Sequence, residues 1–347
     1  MKSVRLAAAA ALAGTVLLAP AAAHAGAEPA AAPATAAVSA AAHFPGAWPQ
    51  RLVGTAASLH PEGIAWDPTR GALLVSSVRH GTVSVVRRDG SVRTLVRDPG
   101  VISSYGIQVD AARGRLYVAY ADLGVAERST PETALRVGGV GVFDLATGRR
   151  LHLVDLTRLD PGRAAYAVND VTVAPDGTAY VSDVFSDAVY RVDRKGRASV
   201  LVRDAALTDG KGTGINGIAY HRGGFLLGVN TGDGRLVRIP LRDPAVHTVA
   251  LDTELLGGDG LAVRRDGSVV SVTNSLGSPA GHDAVRVLRS TDGWRSARAE
   301  HTTPWPERGP STVALTPYGS YVLSGRLEVV FGPGNPTADD FVARKFG

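Results

Sequence analysis

Apolar residues in this chain come in short runs with a period of two, broken every few residues by turn formers. In VNDVTVAPDGTAYVSD, residues 168–183, Val171 and Val173 alternate with polar neighbours, Asp176-Gly177 makes a tight turn, and Ala179-Tyr180-Val181 resumes the run. The pattern predicts strand, turn, strand. It recurs as EGIAWDPTRGALLV from 62, YGIQVDAARGRLYV from 105, NGIAYHRGGFLLGV from 216, DGLAVRRDGSVVSV from 259 and STVALTPYGSYVL from 311. The six copies are 43, 64, 47, 43 and 52 residues apart. Third and fourth runs follow, as in GTVSVVRRDG then VRTLVRD, and DAVYRVDRKG then ASVLVRD. Units of this period, made of short strands and Gly-containing turns, predict an all-β, six-bladed β-propeller of four-stranded antiparallel blades.

The termini complete the ring in this reading. PQRLVGTAAS, residues 49–58, has the pattern of a fourth strand and precedes the first copy, whereas the sixth copy has little chain left for its own. The expectation is that 49–55 finishes the sixth blade and removes an exposed edge. A return of 333–347 to make that strand is the competing reading. The longest gaps hold insertions, and 121–139 is expected to be a polar loop.

Composition then divides the 347 residues into three parts. Lys2 and Arg5, the apolar run Leu6 to Leu18, and Ala23-His24-Ala25 have the form of a secretory leader, 1–25, cleaved near Ala25. An uncleaved anchor is the alternative, and no stable membrane span is expected after cleavage. Residues 26–44 are mostly Ala, Pro, Gly, Thr and Ser, a tether that cannot bury a core. Residues 45–347 form the propeller. The mature chain is therefore expected outside the cell, and a monomer is expected.

With no cysteine in the chain, disulfides, thiol chemistry and Cys-based metal sites are excluded. The net charge of +5 comes from scattered arginines; lysine occurs only at 2, 195, 211 and 345. No dense basic block is present, so a small-molecule substrate rather than nucleic acid is expected.

The innermost strand of each blade lines the channel, so the first residues of the six copies converge at one mouth. They are Glu62, Tyr105, Asn169, Asn216, Asp259 and Ser311. Four of them offer carboxylate or amide oxygen, a donor set suited to a hard divalent cation such as Ca²⁺ and lacking the thiolate or imidazole of zinc or copper sites. Each alone also reads as a turn residue before a strand.

These stretches resemble the senescence marker protein/gluconolactonase family and, through it, related calcium-dependent six-bladed hydrolases. EGIAWDP resembles the family's opening Glu-Gly motif, NDVTVAPDG its Asn-Asp-Gly blade start, and NGIA and DGLAV the starts of later blades. The resemblance implies calcium held by Glu62, Asn169, Asn216 and Asp259. It also implies hydrolysis of a lactone or related ester, with Asp259 as base or nucleophile. There are departures: Ala167 stands where sugar-lactone members carry Arg, Val171 replaces a Gly, and Ser77 replaces an Asp. Tyr105, Asp183, Asn230 and Asn274 are the candidates for orienting substrate, with ordinary turn roles as the alternative for the last three. His60 and His282 are candidate proton relays, or else loop histidines. Ser311 lacks a nucleophile-elbow context. A non-catalytic propeller binding a ligand or protein at its channel face remains the alternative function, and a cofactor-dependent sugar dehydrogenase a third.

Overall fold

A computed structural model describes residues 46–334 and 336–347. The leader and tether readings, 1–25 and 26–44, lie outside the described residues. Six antiparallel sheets follow one another along the chain. Their inner strands are Ile64–Asp67, Ser103–Asp110, Val168–Val173, Ile215–His221, Gly258–Val263 and Pro310–Thr316. Each blade has four strands, and blade five gains a short edge strand, Ala250–Leu251, that pairs in parallel with its outermost strand. Among the described residues, no helix is long and apolar enough to cross a membrane.

Burial explains why the sequence pattern is clearest at the periphery. The outer strand Arg51–Thr55 alternates exposed and buried, whereas Ala72–Val75 is buried throughout. The second strands, such as Ala72–Val75, Phe225–Asn230 and Val269–Thr273, are covered on both faces by adjacent blades, so they read as nearly continuous apolar runs. The core is correspondingly divided. Six of the buried clusters each lie between two consecutive blades, as where Tyr117, Val140 and Val142 of blade two meet Val171, Val181 and Tyr190 of blade three. Trp66 packs at the joint of blades six and one, its ring 5.2 Å from Trp48 and 5.8 Å from Tyr318.

In blade six the first reading of the termini holds, and the C-terminal segment supplies the third strand rather than the fourth. Asp340–Phe346 returns as its third strand, beside Gly319–Ser324, and Arg51–Thr55 adds outside it as the fourth. The register runs from Arg51 opposite Arg344 to Thr55 opposite Asp340. The ring is thus closed by hydrogen bonds between the two ends of the domain. Arg51 and Arg344 also share the Glu307 carboxylate, each at 2.8 Å. Gly54 is needed for this closure, because a Cβ there would lie 2.1 Å from the buried Phe341 ring. Gly54→Val is expected to cost about 1–3 kcal/mol by overpacking, read as a lowered thermal midpoint. Val53→Thr, at a position 40% exposed, should change the midpoint little.

The insertion in blade two forms the loop between Arg115–Ala121 and Gly138–Asp144. Asp122 organises it: its carboxylate accepts the Gly124 amide at 2.8 Å and the hydroxyls of Ser129 and Thr133 at 2.5 and 2.7 Å.

Candidate metal centre at the channel mouth

Five of the six inner strands share a local irregularity at the first residues of the repeat. In blade three Val168 pairs with Asp183 and Val171 with Val181, so Asn169 and Asp170 together oppose one residue. The same two-against-one count occurs at Tyr105-Gly106, Asn216-Gly217, Asp259-Gly260 and Ser311-Thr312. A bulge interrupts the alternation and re-aims the side chain it carries. An Asn-Asp pair is tolerated there because the ladder is already broken.

The second residue of each pair faces the next blade. Gly217 is required by close approach: a Cβ would lie 1.9 Å from the Asp259 carbonyl oxygen. Gly63 stands in the same relation to the Tyr105 carbonyl, at 2.3 Å. In blade three the position is Asp170, whose carboxylate accepts the amides of Val171 at 2.8 Å and of Ile218, in blade four, at 3.0 Å. Serine hydroxyls hold the neighbouring backbone: Ser76 Oγ accepts from Gly63 N at 2.7 Å, and Ser182 Oγ accepts from Asp170 N at 3.1 Å.

These devices bring Glu62, Asn169, Asn216 and Asp259 around a single cavity of about 20 Å³, with Asp170 and Thr312 also lining it. Below it the channel widens to about 390 Å³ between the six inner strands, and Asp170 borders both spaces. Asp170 has no counterpart among the first residues of the repeats, and the Asn169-Asp170 doublet is its one mark in the sequence.

The cavity's polar atoms are unsatisfied. Glu62 Oε2, Asn169 Oδ1 and Asn216 Oδ1 are buried without a hydrogen-bond partner. Asp259 gives one oxygen, Oδ2, to the Asn274 side-chain amide at 2.6 Å. Buried acceptors without donors are costly, and these come from separate blades. Burial, then repulsion from Asp259 and Asp170, pushes the Glu62 carboxyl well above its ordinary range. Burial raises Asp259 to about 8, opposed by the Asn274 hydrogen bond and reinforced by Asp170. Burial also raises Asp170 to about 6, opposed by its two backbone donors. Without a positive charge the three carboxyls hold protons that exposed carboxyls would have lost. A divalent cation would satisfy the orphaned oxygens and invert that preference. Among the described residues no group of three His, Cys, Asp or Glu is arranged to hold a metal. The set in this cavity instead mixes carboxylates with amides, as calcium accepts.

Apart from Asn274, the other candidates lie elsewhere. Tyr105 is buried with Val78, Ala121, Val125, Leu327 and Val330 in an apolar cluster on this face. Burial, with Glu62 and Asp122 nearby, keeps its phenol protonated. Asp183 accepts the Ala167 and Phe185 amides at 3.0 and 2.9 Å and pairs with Arg163 at 3.1 Å. Asn230 donates to Leu207 and Thr213 carbonyls and accepts from Gly232 and Asp233 amides. Neither Asp183 nor Asn230 reaches the cavity. His60 is 2% exposed and ties blade one to the C-terminal segment, with Nδ1 3.0 Å from the Arg326 carbonyl and Nε2 accepting from Ala338 N at 3.0 Å. His282 is exposed. The Ser311 hydroxyl donates to the Glu62 carbonyl at 2.7 Å.

Known proteins share this architecture. The Mala s 1 allergen of Malassezia sympodialis superposes with a TM-score of 0.69 at 18% identity, over 86% of this chain and 96% of that one. A gluconolactonase from Xanthomonas campestris gives 0.55 at 20%, over 84% and 87%. The calcium-binding protein regucalcin from Agrobacterium tumefaciens gives 0.56 at 18%, over 84% and 93%. At these identities the likeness concerns the fold. No curated protein matches the chain by sequence. The SMP-30/gluconolactonase/LRE-like region, by contrast, matches residues 60–283, a span running from His60 through the blades that supply all four mouth residues, and on that match the chain belongs to the SMP-30/gluconolactonase/LRE-like family.

Proposed function

We propose that this protein is a calcium-dependent hydrolase of a lactone or related ester. Family membership supports a lactonase-type hydrolase at a coarse level. The observation that carries the finer reading is the set of orphaned oxygens of Glu62, Asn169 and Asn216 facing one small cavity with Asp259. These four residues would hold the ion. Bound there, calcium would supply Lewis acidity to the carbonyl oxygen and positive charge for the developing oxyanion. Asn169 and Asn216 add no charge, so Glu62 and Asp259 as carboxylates balance a divalent ion, and Asp170 borders the same cavity as a third carboxyl. As base, Asp259 takes the proton of the attacking water through the oxygen that Asn274 does not hold, the acyl C–O bond breaks and the proton passes to the departing alkoxide. As nucleophile, the same oxygen displaces the alkoxide, which takes a proton from water, and a second water releases the acyl group. A carboxylate next to a cation is a weak base, and burial of Asp259 works against that weakening. The leader-like 1–25 supports action outside the cell, on a small-molecule substrate.

The test is metal content of the purified mature protein together with a panel of lactones, aryl esters and phosphotriesters. Turnover of at least one lactone or ester, lost on chelation and restored by calcium, is expected. Bound calcium with no turnover across the panel would leave a propeller that binds a ligand at its mouth.

A further inference from the structure

We propose that Asn274 is the positioning residue for Asp259, setting which carboxylate oxygen faces the cavity. This rests on the proposed function, because it takes Asp259 as cation ligand and base. Asn274 is 1% exposed. Its Nδ2 donates to Asp259 Oδ2 at 2.6 Å and to the Pro310 carbonyl at 2.8 Å, while its Oδ1 accepts the Leu276 amide at 2.8 Å. Both amide hydrogens are therefore committed. Flipping the amide would set its oxygen against the Asp259 carboxylate and the Pro310 carbonyl, so the geometry allows one orientation. Pro310 opens the inner strand of blade six, so Asn274 fixes Asp259 with respect to two blades.

Register makes Asn274 different from its apparent counterparts. Asp183 pairs with Val168 and Asn230 with Ile215, each at the first rung before the bulge. In blade five that rung belongs to Thr273, opposite Gly258, and Asn274 comes one residue later. A one-residue offset turns a strand side chain to the opposite face. Asp183 and Asn230 spend their hydrogen bonds on loops and on Arg163, whereas Asn274 turns to the carboxylate. All three accept the amide two residues on, which explains their equivalent look in sequence. With Oδ2 bonded outward, Asp259 offers a single oxygen to the cavity. Hydrogen bonds that orient a ligating carboxylate are generally worth 10–100-fold in metal affinity or activity.

Asn274→Ser separates the two roles of this side chain. A serine hydroxyl keeps the turn by accepting the Leu276 amide but is too short to reach Asp259. The folded variant is expected to bind calcium roughly 10–100-fold more weakly than wild type by titration calorimetry. Its cation-free thermal midpoint should fall by a few degrees, because Asp259 Oδ2 and the Pro310 carbonyl lose their donor, and kcat/KM should fall by a factor similar to that in calcium affinity. Wild-type calcium affinity in folded Asn274→Ser and Asn274→Ala would overturn the proposal. A wild-type protein that binds no divalent cation would overturn the proposed function and this assignment with it, and the wild-type titration tells that case apart. Should both variants fail to fold, wild-type protein still decides the matter. The Asn274 side-chain amide protons should exchange slowly with solvent and shift in the ¹⁵N spectrum on calcium addition. Exchange at the rate of an exposed asparagine would overturn it.

Discussion

Asp259→Asn is expected to abolish turnover while leaving the propeller folded. The change replaces one carboxylate oxygen by nitrogen at constant shape, and Asn274 retains an acceptor for its 2.6 Å bond. Blade five loses no packing, since Gly260 and the backbone approach of Gly217 are untouched. What is lost is the negative charge facing the cavity, and with it both a ligand and the proton acceptor of the proposed reaction. Removing a group of this kind typically costs 10²–10⁴-fold, and one residue in both roles should lose about 10³-fold or more in kcat/KM. Calcium binding by calorimetry should fall below detection in the same variant. Turnover within tenfold of wild type would remove Asp259 from the mechanism and transfer the base role to another group, Asp170 being nearest in character.

The second large effect is on stability, and it depends on pH in an unusual direction. Most carboxyls in folded proteins titrate at or below their ordinary values and stabilise as pH rises. Here Asp170 is raised to about 6 and Asp259 to about 8, with Glu62 also well above its ordinary range. A folded-state value above the unfolded one means that the native chain keeps protons the unfolded chain has lost. Stability without cation therefore falls as pH rises above about 4, the ordinary carboxylate value. The loss continues through about 6 for Asp170 and about 8 for Asp259, and Glu62, also raised, adds to it in the same direction. Below about 4 these groups make no difference, being protonated in both states. Calcium should matter least at pH 5 and most at pH 8.5, where Asp170 and Asp259 have largely lost their protons. At a thousandfold excess over Kd, binding stabilises by about 4 kcal/mol. For a domain of this size that is a rise of roughly 5 °C or more in the thermal midpoint. Melting curves at pH 5 and 8.5, with and without calcium, measure both trends. Asp259→Asn should melt higher than wild type at pH 8.5 without calcium and gain nothing from its addition. A wild-type midpoint that rises with pH from 5 to 8.5 in chelator would contradict the electrostatics of this cavity.

Two further observations bear on substrate choice. Ala167 stands where sugar-lactone relatives are expected to carry arginine, and its amide is bound to Asp183. Arg163, close by in sequence, is held by Asp183, by the Phe185 carbonyl at 2.7 Å and by the Tyr190 hydroxyl at 3.1 Å. Its guanidinium thus serves the blade-three loop.

Much of this was legible in the residues alone. Strand pairs joined by Asp-Gly and similar turns, repeated six times, determine the blades, because hairpin geometry is local and the turn chemistry is in the sequence. Repetition also marked the slot holding Glu62, Asn169, Asn216 and Asp259, since equivalent positions in a ring face one axis. The termini are legible in part: the pattern of 49–55 marks a strand that finishes the sixth blade, whereas only the structure places 340–346 between that strand and the rest of the blade. Tertiary structure alone decided the rest. Asp170 became a third buried carboxyl because blade four brings the Ile218 amide to it, a contact 48 residues away in sequence. Asn274 reached Asp259, and Asp183 and Asn230 did not, through a single-residue difference in register that no local pattern displays. Side-chain direction at a broken rung depends on how neighbouring blades pack, and that is a property of the closed ring.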